Sequence, residues 1–211
     1  TGFLLLGLLP TTGAAQDAGG FAILRGSDTV AVEEFSRGPV ELTGTLVRGS
    51  GPAGGDRVRY HAVLVEDESA PLIELSVWLR DAPERAPARQ TSRVIFKDDS
   101  VAVDDMTGAG LRTTVMPTQR ASIPYLNLSI AFLEQATRRA AAANGADGIT
   151  MPFFNLGGGQ TVIGSVRRLG SDSAIVALGT VEFRLWVDQG GRILGGALPA
   201  QGLRIVRRGA S

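Results

Sequence analysis

The sequence predicts a mostly-β, α+β fold: a curved antiparallel sheet of about a dozen short strands packed around one central helix (residues about 123–143). Three observations carry this. Apolar and polar residues alternate in many short runs, the period of a half-buried strand. Glycine and proline, 28 and 10 of 211 residues, divide those runs at turns. Only one stretch has helical spacing, so the strand–helix–strand order that a parallel sheet needs is missing.

That stretch runs from Ser122 to Gly145. Ser122 suits an N-cap, Pro124 the first turn and Asn144-Gly145 a stop. Between them Tyr125, Leu128, Phe132, Ala136 and Ala140, with Leu126, Ile130 and Leu133, form a broad apolar surface. Such a helix needs a sheet to cover it. It is expected to be a structural axis on which nothing polar converges.

The strands are expected in order on either side. Phe21 to Arg25 is short, and Thr29 to Phe35 places Thr29, Ala31, Glu33 and Phe35 on one side. Residues 40–48 and 57–66 flank a Gly-rich loop, and 72–80 carries Ile73, Leu75, Val77 and Leu79 opposite Trp78. The Pro-rich segment 81–89 reads as a loop. Runs at 92–97, 101–103 and 111–116 precede the helix; 149–156, 161–169, 174–178, 181–187, 192–198 and 203–207 follow it.

At the N-terminus Phe3, Leu4, Leu5, Leu6, Leu8 and Leu9 form an apolar run, followed by small residues to Ala15, like the end of a secretory signal. In a helix this run is about 12 Å long, short of the roughly 30 Å core of a bilayer. Residues 1–20 therefore read as a signal-like or anchoring segment with a Gly-rich linker (Ala18-Gly19-Gly20), and residues 21–211 as one β-rich domain.

Composition excludes several functions. Basic and acidic residues balance at 21 each, unlike a nucleic-acid binder. Cysteine is absent and His61 is the single histidine, so thiolate chemistry and a zinc site built from His and Cys are out. No serine lies in a Gly-x-Ser-x-Gly frame. His61 beside Arg59 reads as a strand or rim residue before a catalytic one. Asp98, Asp99, Asp104 and Asp105 flank a short strand as turn carboxylates, without the spacing of an EF-hand. Gly157-Gly158-Gly159 lacks the Lys-Ser/Thr of a phosphate loop. No cofactor, metal or catalytic residue is expected, and the protein is read as not an enzyme. The positions left for partner contact are Trp78, Pro83, Pro87, Trp186, Arg207 and Arg208.

Two passages, Gly26-Ser27-Asp28-Thr29-Val30-Ala31-Val32-Glu33-Glu34-Phe35 and Leu185-Trp186-Val187-Asp188-Gln189-Gly190-Gly191-Arg192, resemble the opening and closing hairpins of uncharacterised β-rich extracytoplasmic bacterial domains. Those domains are similar in outline to lipoprotein-carrier half-barrels, which implies a curved sheet wrapped on a helix. An exported β-rich chain with an apolar N-terminus and no active-site motif also resembles the membrane-extrinsic accessory subunits of bacterial photosynthetic reaction centre–antenna complexes. The expectation is a periplasmic, membrane-associated subunit tethered through residues 3–9 to lipid, partnered by an integral membrane complex. The alternative is a carrier holding an apolar ligand between sheet and helix, in a pocket lined by Ile130 and Phe132.

Overall fold

Among the described residues, fifteen strands form a single sheet that follows the chain outward, jumps once, and follows it back. The computed structural model describes residues 17–49, 54–143 and 148–209. The strands are β1 (Asp17–Arg25), β2 (Asp28–Arg37), β3 (Glu41–Arg48), β4 (Asp56–Val63), β5 (Leu72–Leu79), β6 (Gln90–Phe96), β7 (Ser100–Thr107) and β8 (Gly110–Pro117). After β9 (Ile123–Tyr125) and the helix α1 (Ile130–Ala142) come β10 (Ile149–Asn155), β11 (Gln160–Arg168), β12 (Ser173–Leu178), β13 (Val181–Val187), β14 (Ile193–Leu198) and β15 (Leu203–Arg208). Their spatial order is β8-β7-β6-β5-β4-β3-β2-β1-β15-β14-β13-β12-β11-β10-β9. Every neighbouring pair is antiparallel except β9 with β10.

The first and last strands thus meet at the centre, Gly20 opposite Arg208 and Ile23 opposite Ile205. The sheet curls without closing. Its two ends approach where the Thr161 hydroxyl donates to the Pro117 carbonyl at 3.3 Å and bonds the Thr118 hydroxyl at 2.8 Å.

Inward-facing residues build one core around α1. In β4, Val58, Tyr60 and Ala62 are buried while Arg59 and His61 are exposed, the alternation of a sheet with one wet face. Eight consecutive helix residues, Ile130 to Thr137, are buried. The curved sheet wraps α1 over most of its circumference.

The helix is shorter than its apolar pattern suggests. Ser122 does not cap it; Ile123–Tyr125 pairs with Phe153–Asn155 as β9. Proline at Pro124 is tolerated in an edge strand. The chain then reverses through Leu128, in the left-handed region at φ 66°, and Ser129 is the cap, its hydroxyl accepting from the Phe132 N–H. Tyr125, Leu126 and Leu128 supply the right spacing from outside the helix. At the other end Ala143 is the C-cap, and the expected Asn144-Gly145 stop lies outside the described residues. Ala18-Gly19-Gly20 is likewise no linker but part of β1, where the Gly20 backbone packs on the Glu33 carbonyl.

Polar groups do converge on the helix. Glu33, fully buried on β2, accepts from the Ile130 and Ala131 N–H groups at 2.8 and 3.0 Å through one oxygen. Its other oxygen accepts from the Tyr60 and Ser129 hydroxyls at 2.8 and 2.5 Å. These backbone donors have no partner inside the helix, and the helix dipole favours an acid there. Tyr60 reaches Glu33 by crossing β3 above Gly44, the cross-strand neighbour of both Phe35 and Tyr60. A β-carbon on Gly44 would stand 2.3 Å from the Tyr60 hydroxyl oxygen and 2.7 Å from the Glu34 carbonyl oxygen.

One turn on, Glu134 is also buried. It accepts from the Ile193 N–H at 2.8 Å, from Arg207 at 3.0 Å and from Arg138 at 2.8 Å. Asp17 joins the same group, its carboxylate reached by Arg207 and Arg192 at 2.9 Å and Arg138 at 3.1 Å. The Arg207 guanidinium also lies 5.1 and 5.3 Å from the stacked rings of Phe21 and Phe35, within cation–π range. Farther along, the Thr137 hydroxyl donates to the Gly191 carbonyl at 2.6 Å, and Arg139 donates to the Asp67 and Ala121 carbonyls.

Removing the Glu33 carboxylate with Glu33→Ala strands four donors in the core and is expected to cost about 3 kcal/mol or more. Glu33→Gln is expected to cost less, about 1–2 kcal/mol, because the Tyr60 and Ser129 hydroxyls can turn to accept from its amide. Burial holds the Glu33 carboxyl above its ordinary value of 4.5, outweighing the four accepted bonds, which pull the other way. The folded protein therefore binds this proton more tightly than the unfolded chain. The stabilisation is complete below about pH 4.5 and is lost as pH rises through the folded value. Denaturant melts across that range should show the native protein losing stability relative to Glu33→Gln as pH rises; a constant difference would contradict the shift. Gly44→Ala is expected to destabilise by about 1–3 kcal/mol through overpacking, read from the same melts.

Candidate functional site

The described clefts open on the outer face and rim of the sheet, and the two halves of the outer face differ in character. Across β3 to β8 a polar row runs in register: Thr43, His61, Glu74, Arg93, Asp104, Thr113. Charges of alternating sign placed opposite one another support a sheet at its wet surface. His61 lines a cleft of about 440 Å³ with Thr45, Arg59, Glu74 and Ser76. Its ring nitrogens lie 3.7 Å from Glu41 and 3.8 Å from Glu74, so they face two carboxylates rather than a nucleophile. A neighbouring groove of about 300 Å³ is floored by Gly19, Gly20 and Gly44.

Of the four acidic residues expected as turn carboxylates, Asp104 and Asp105 lie inside β7, whose ladder with β8 continues past them, and all four sit among local bonds. Asp104 accepts from the Thr113 hydroxyl at 2.7 Å, and Asp105 from the Ser92 hydroxyl at 2.5 Å and the Gln90 amide at 3.0 Å. Asp98 faces Arg120 at 3.7 Å in solvent, while the Asp99 carbonyl accepts from the Thr118 N–H. Among the described residues no group of three or more His, Asp or Glu side chains could hold a metal ion.

Trp78 and the loop after it form one unit. The indole N–H donates to the Ala86 carbonyl at 2.9 Å, and Arg57 and Arg59 lie over the ring at 5.4 and 5.6 Å. The segment 81–89 thus folds back over Trp78, leaving Pro83 and Pro87 exposed. Arg207 is taken up by Glu134 and Asp17 inside the chain, while Arg208 is exposed. Phe3, Leu4, Leu5, Leu6, Leu8 and Leu9 lie outside the described residues.

Trp186 is different: 57% of it is exposed. It stands on the outer face of β13, where the register with β14 shifts between Trp186 and Val187. Bulges of this kind re-aim a side chain. The indole lies over Gly195, its cross-strand neighbour, whose hypothetical β-carbon would stand 2.9 Å from the ring. Beside it Leu169, Ile175, Ala197 and Pro199, with Ser173 and Arg184, complete an open cleft of about 470 Å³. A large aromatic held flat on glycine at the centre of a mostly apolar cleft has the composition of a protein-contact anchor.

Sequence reading singled out Trp186 but not its surroundings. Leu169 and Pro199 reach the cleft from turns, which strand periodicity does not register. Glu33 and Glu134 were missed as structural centres. The available signal was a carboxylate on the same side of its strand as Ala31 and Phe35, and another within the apolar helix surface.

No protein-family model and no curated protein sequence matches this chain. Two solved structures share its fold. A DUF1089 family protein from Pseudomonas aeruginosa superposes with a TM-score of 0.56 at 12% identity, covering 81% of this chain and 91% of that one. A beta-barrel-like protein of the domain of unknown function DUF1849 from Brucella abortus superposes with a TM-score of 0.51 at 9% identity, covering 92% and 94%. At these identities the likeness is one of fold: a β-rich, barrel-like architecture shared with domains of unknown function.

Proposed function

We propose that this protein is a non-catalytic extracytoplasmic accessory subunit, tethered at the membrane by its apolar N-terminal run, that docks on an integral membrane protein complex through the Trp186 cleft. The observation that carries the reading is the exposed indole on Gly195, set in a cleft of mostly apolar side chains. The charged ladder across β3 to β8 is suited to water, whereas the β12–β14 face gathers Trp186, Leu169, Ile175 and Pro199 around one cleft. The tether rests on the residue 3–9 run in the sequence. Among the described residues no helix is long and apolar enough to cross a membrane. A photosynthetic reaction centre–antenna complex is one partner of this kind; its support is the apolar leader and the β-rich composition, and the two structural neighbours do not add to it.

A carrier for an apolar ligand is the second reading. Its support is the half-barrel outline, but Ile130 and Phe132, which would line such a pocket, lie in the packed core, with Phe132 4.9 Å from Tyr60 ring to ring. Native mass spectrometry of the purified protein is expected to show the unliganded mass; a co-purified lipid would favour the carrier.

Trp186→Ala is expected to leave the thermal midpoint nearly unchanged, since the side chain is exposed. It should weaken co-purification with the membrane complex by roughly thirty-fold, the size of a hot-spot loss. Deleting residues 1–16 after export is expected to release the protein from membranes. Full co-purification of the tryptophan variant would rule out this docking face, and membrane retention of the truncated form would rule out the tether.

A further inference from the structure

The two edges of the sheet are built differently. β9 is three residues long with Pro124 at its centre, a short and interrupted edge of the kind that resists pairing. β8 has eight residues, no proline before its last position and one charge, Arg112. It is the terminal strand at its end of the sheet among the described residues.

The register shows which backbone groups of β8 face outward. Thr118 N–H donates to the Asp99 carbonyl at 2.9 Å, extending a ladder in which Val101 pairs with Met116, Val103 with Thr114 and Asp105 with Arg112. Hydrogen-bonded and non-bonded pairs alternate along an antiparallel ladder. Those pairs are therefore the bonded ones, and Leu111, Thr113 and Val115 turn their N–H and C=O groups away from β7. Pro117 shares that phase, and its carbonyl indeed meets Thr161 on the outer side. The side chains of Leu111 and Val115 are 63% and 65% exposed, and Met106, the cross-strand neighbour of Leu111, adds to the same apolar strip.

We propose that β8 is a self-association edge: two copies of the chain pair antiparallel through it, about a two-fold axis at Thr113, continuing one sheet into the next. The occupant is a second copy because the strand is its own complement. In this register Leu111 of each copy faces Val115 of the other, and the two Thr113 residues meet on the axis. All the backbone bonds of these pairs use groups that already face outward. Shifting by two residues in one direction sets Leu111 against Pro117, which has no N–H. Shifting the other way sets Val115 against Ala109, in the hairpin turn. Charge is compatible as well. Arg112 stands opposite Thr114 of the other copy, and the two Asp104 carboxylates are separated by the pair of Thr113 residues, each held by its own threonine. An isologous contact of this kind closes at two copies. One strand pair is a small interface, so the dimer is expected to depend on concentration.

The chain has no cysteine, so a single introduced thiol reports the register without interference. The two Thr113 α-carbons would lie about 5.5 Å apart, within reach of a disulfide. Leu111 would lie about 14 Å from its own counterpart, four residues along the strand and one strand across, and out of reach. Under mild oxidation the full chain carrying Thr113→Cys is expected to form a disulfide dimer and Leu111→Cys to remain uncrosslinked. A mixture of Leu111→Cys and Val115→Cys chains is expected to crosslink to each other. By light scattering after size exclusion, the unsubstituted chain should shift toward a dimer as concentration rises. Thr113→Pro, which removes an N–H that β7 does not use, should shift it back with unchanged circular dichroism; Val115→Lys should do the same with the backbone intact. A chain that stays monomeric at every concentration, whether its edge is bare or covered by a segment of its own, overturns the proposal. So does Leu111→Cys crosslinking as fast as Thr113→Cys.

Discussion

The carboxylate of Glu33 at the start of α1 is the constraint on which the interior depends. A helix enclosed by a sheet must have its first N–H groups satisfied from within the protein, since water does not reach them. One side chain on β2 does this for Ile130 and Ala131 while tying in Ser129 and, through Tyr60, the strand two places away. That demand reaches back into the sequence. Gly44 must lack a side chain so that Tyr60 can cross β3, and the chain must turn sharply at Leu128 to aim the helix at Glu33.

Glu134 makes a second fixed point of a different kind. It joins the helix to the β14 backbone and to Arg207, which Asp17 holds in turn, so residues at both ends of the described chain meet at one carboxylate pair. The topology explains why this suffices. Because β1 and β15 are neighbours, fixing them to the helix fixes the centre of the sheet, and the two halves extend from it by antiparallel pairing with adjacent strands. Buried charges cost solvation energy unless paired and hydrogen-bonded. Here the two acids face three arginines, and Arg207 also covers the stacked Phe21 and Phe35 rings.

Most of this fold could be read from the sequence because alternation and glycine turns are local signals. β13 occupies Val181–Val187 as expected, and β4 buries Val58, Tyr60 and Ala62 on the face its alternation indicates. The failures came where a non-local partner decides. Ile123–Tyr125 has apolar residues at helical spacing from Ile130 onward, but Phe153–Asn155 offers it a ladder, and that pairing determines its conformation. Asp17–Gly20 has the composition of a linker and is held as a strand by Arg37, Ser36, Phe35 and Glu34 opposite it. At the site, Trp186 was legible as a strand aromatic suited to partner contact. The cleft around it was not, because it depends on two turns being brought alongside a strand by the register of β12 to β14.

A core closed in this way restricts where recognition can occur. With Ile130 and Phe132 committed to packing and the helix N-terminus committed to Glu33, changing the interior for a ligand would first break bonds that hold the sheet together. The outer face and the sheet edge carry no such obligation. Trp186 and Leu111 can change with little cost to folding because they are exposed, whereas Glu33, Gly44 and Tyr60 cannot. A scaffold whose internal polar groups are used up on its own helix is therefore suited to presenting surfaces to other chains, the cleft on β12–β14 and the edge at β8. Association of copies through β8 and docking through Trp186 then draw on different residues, so occupying one does not use up the other.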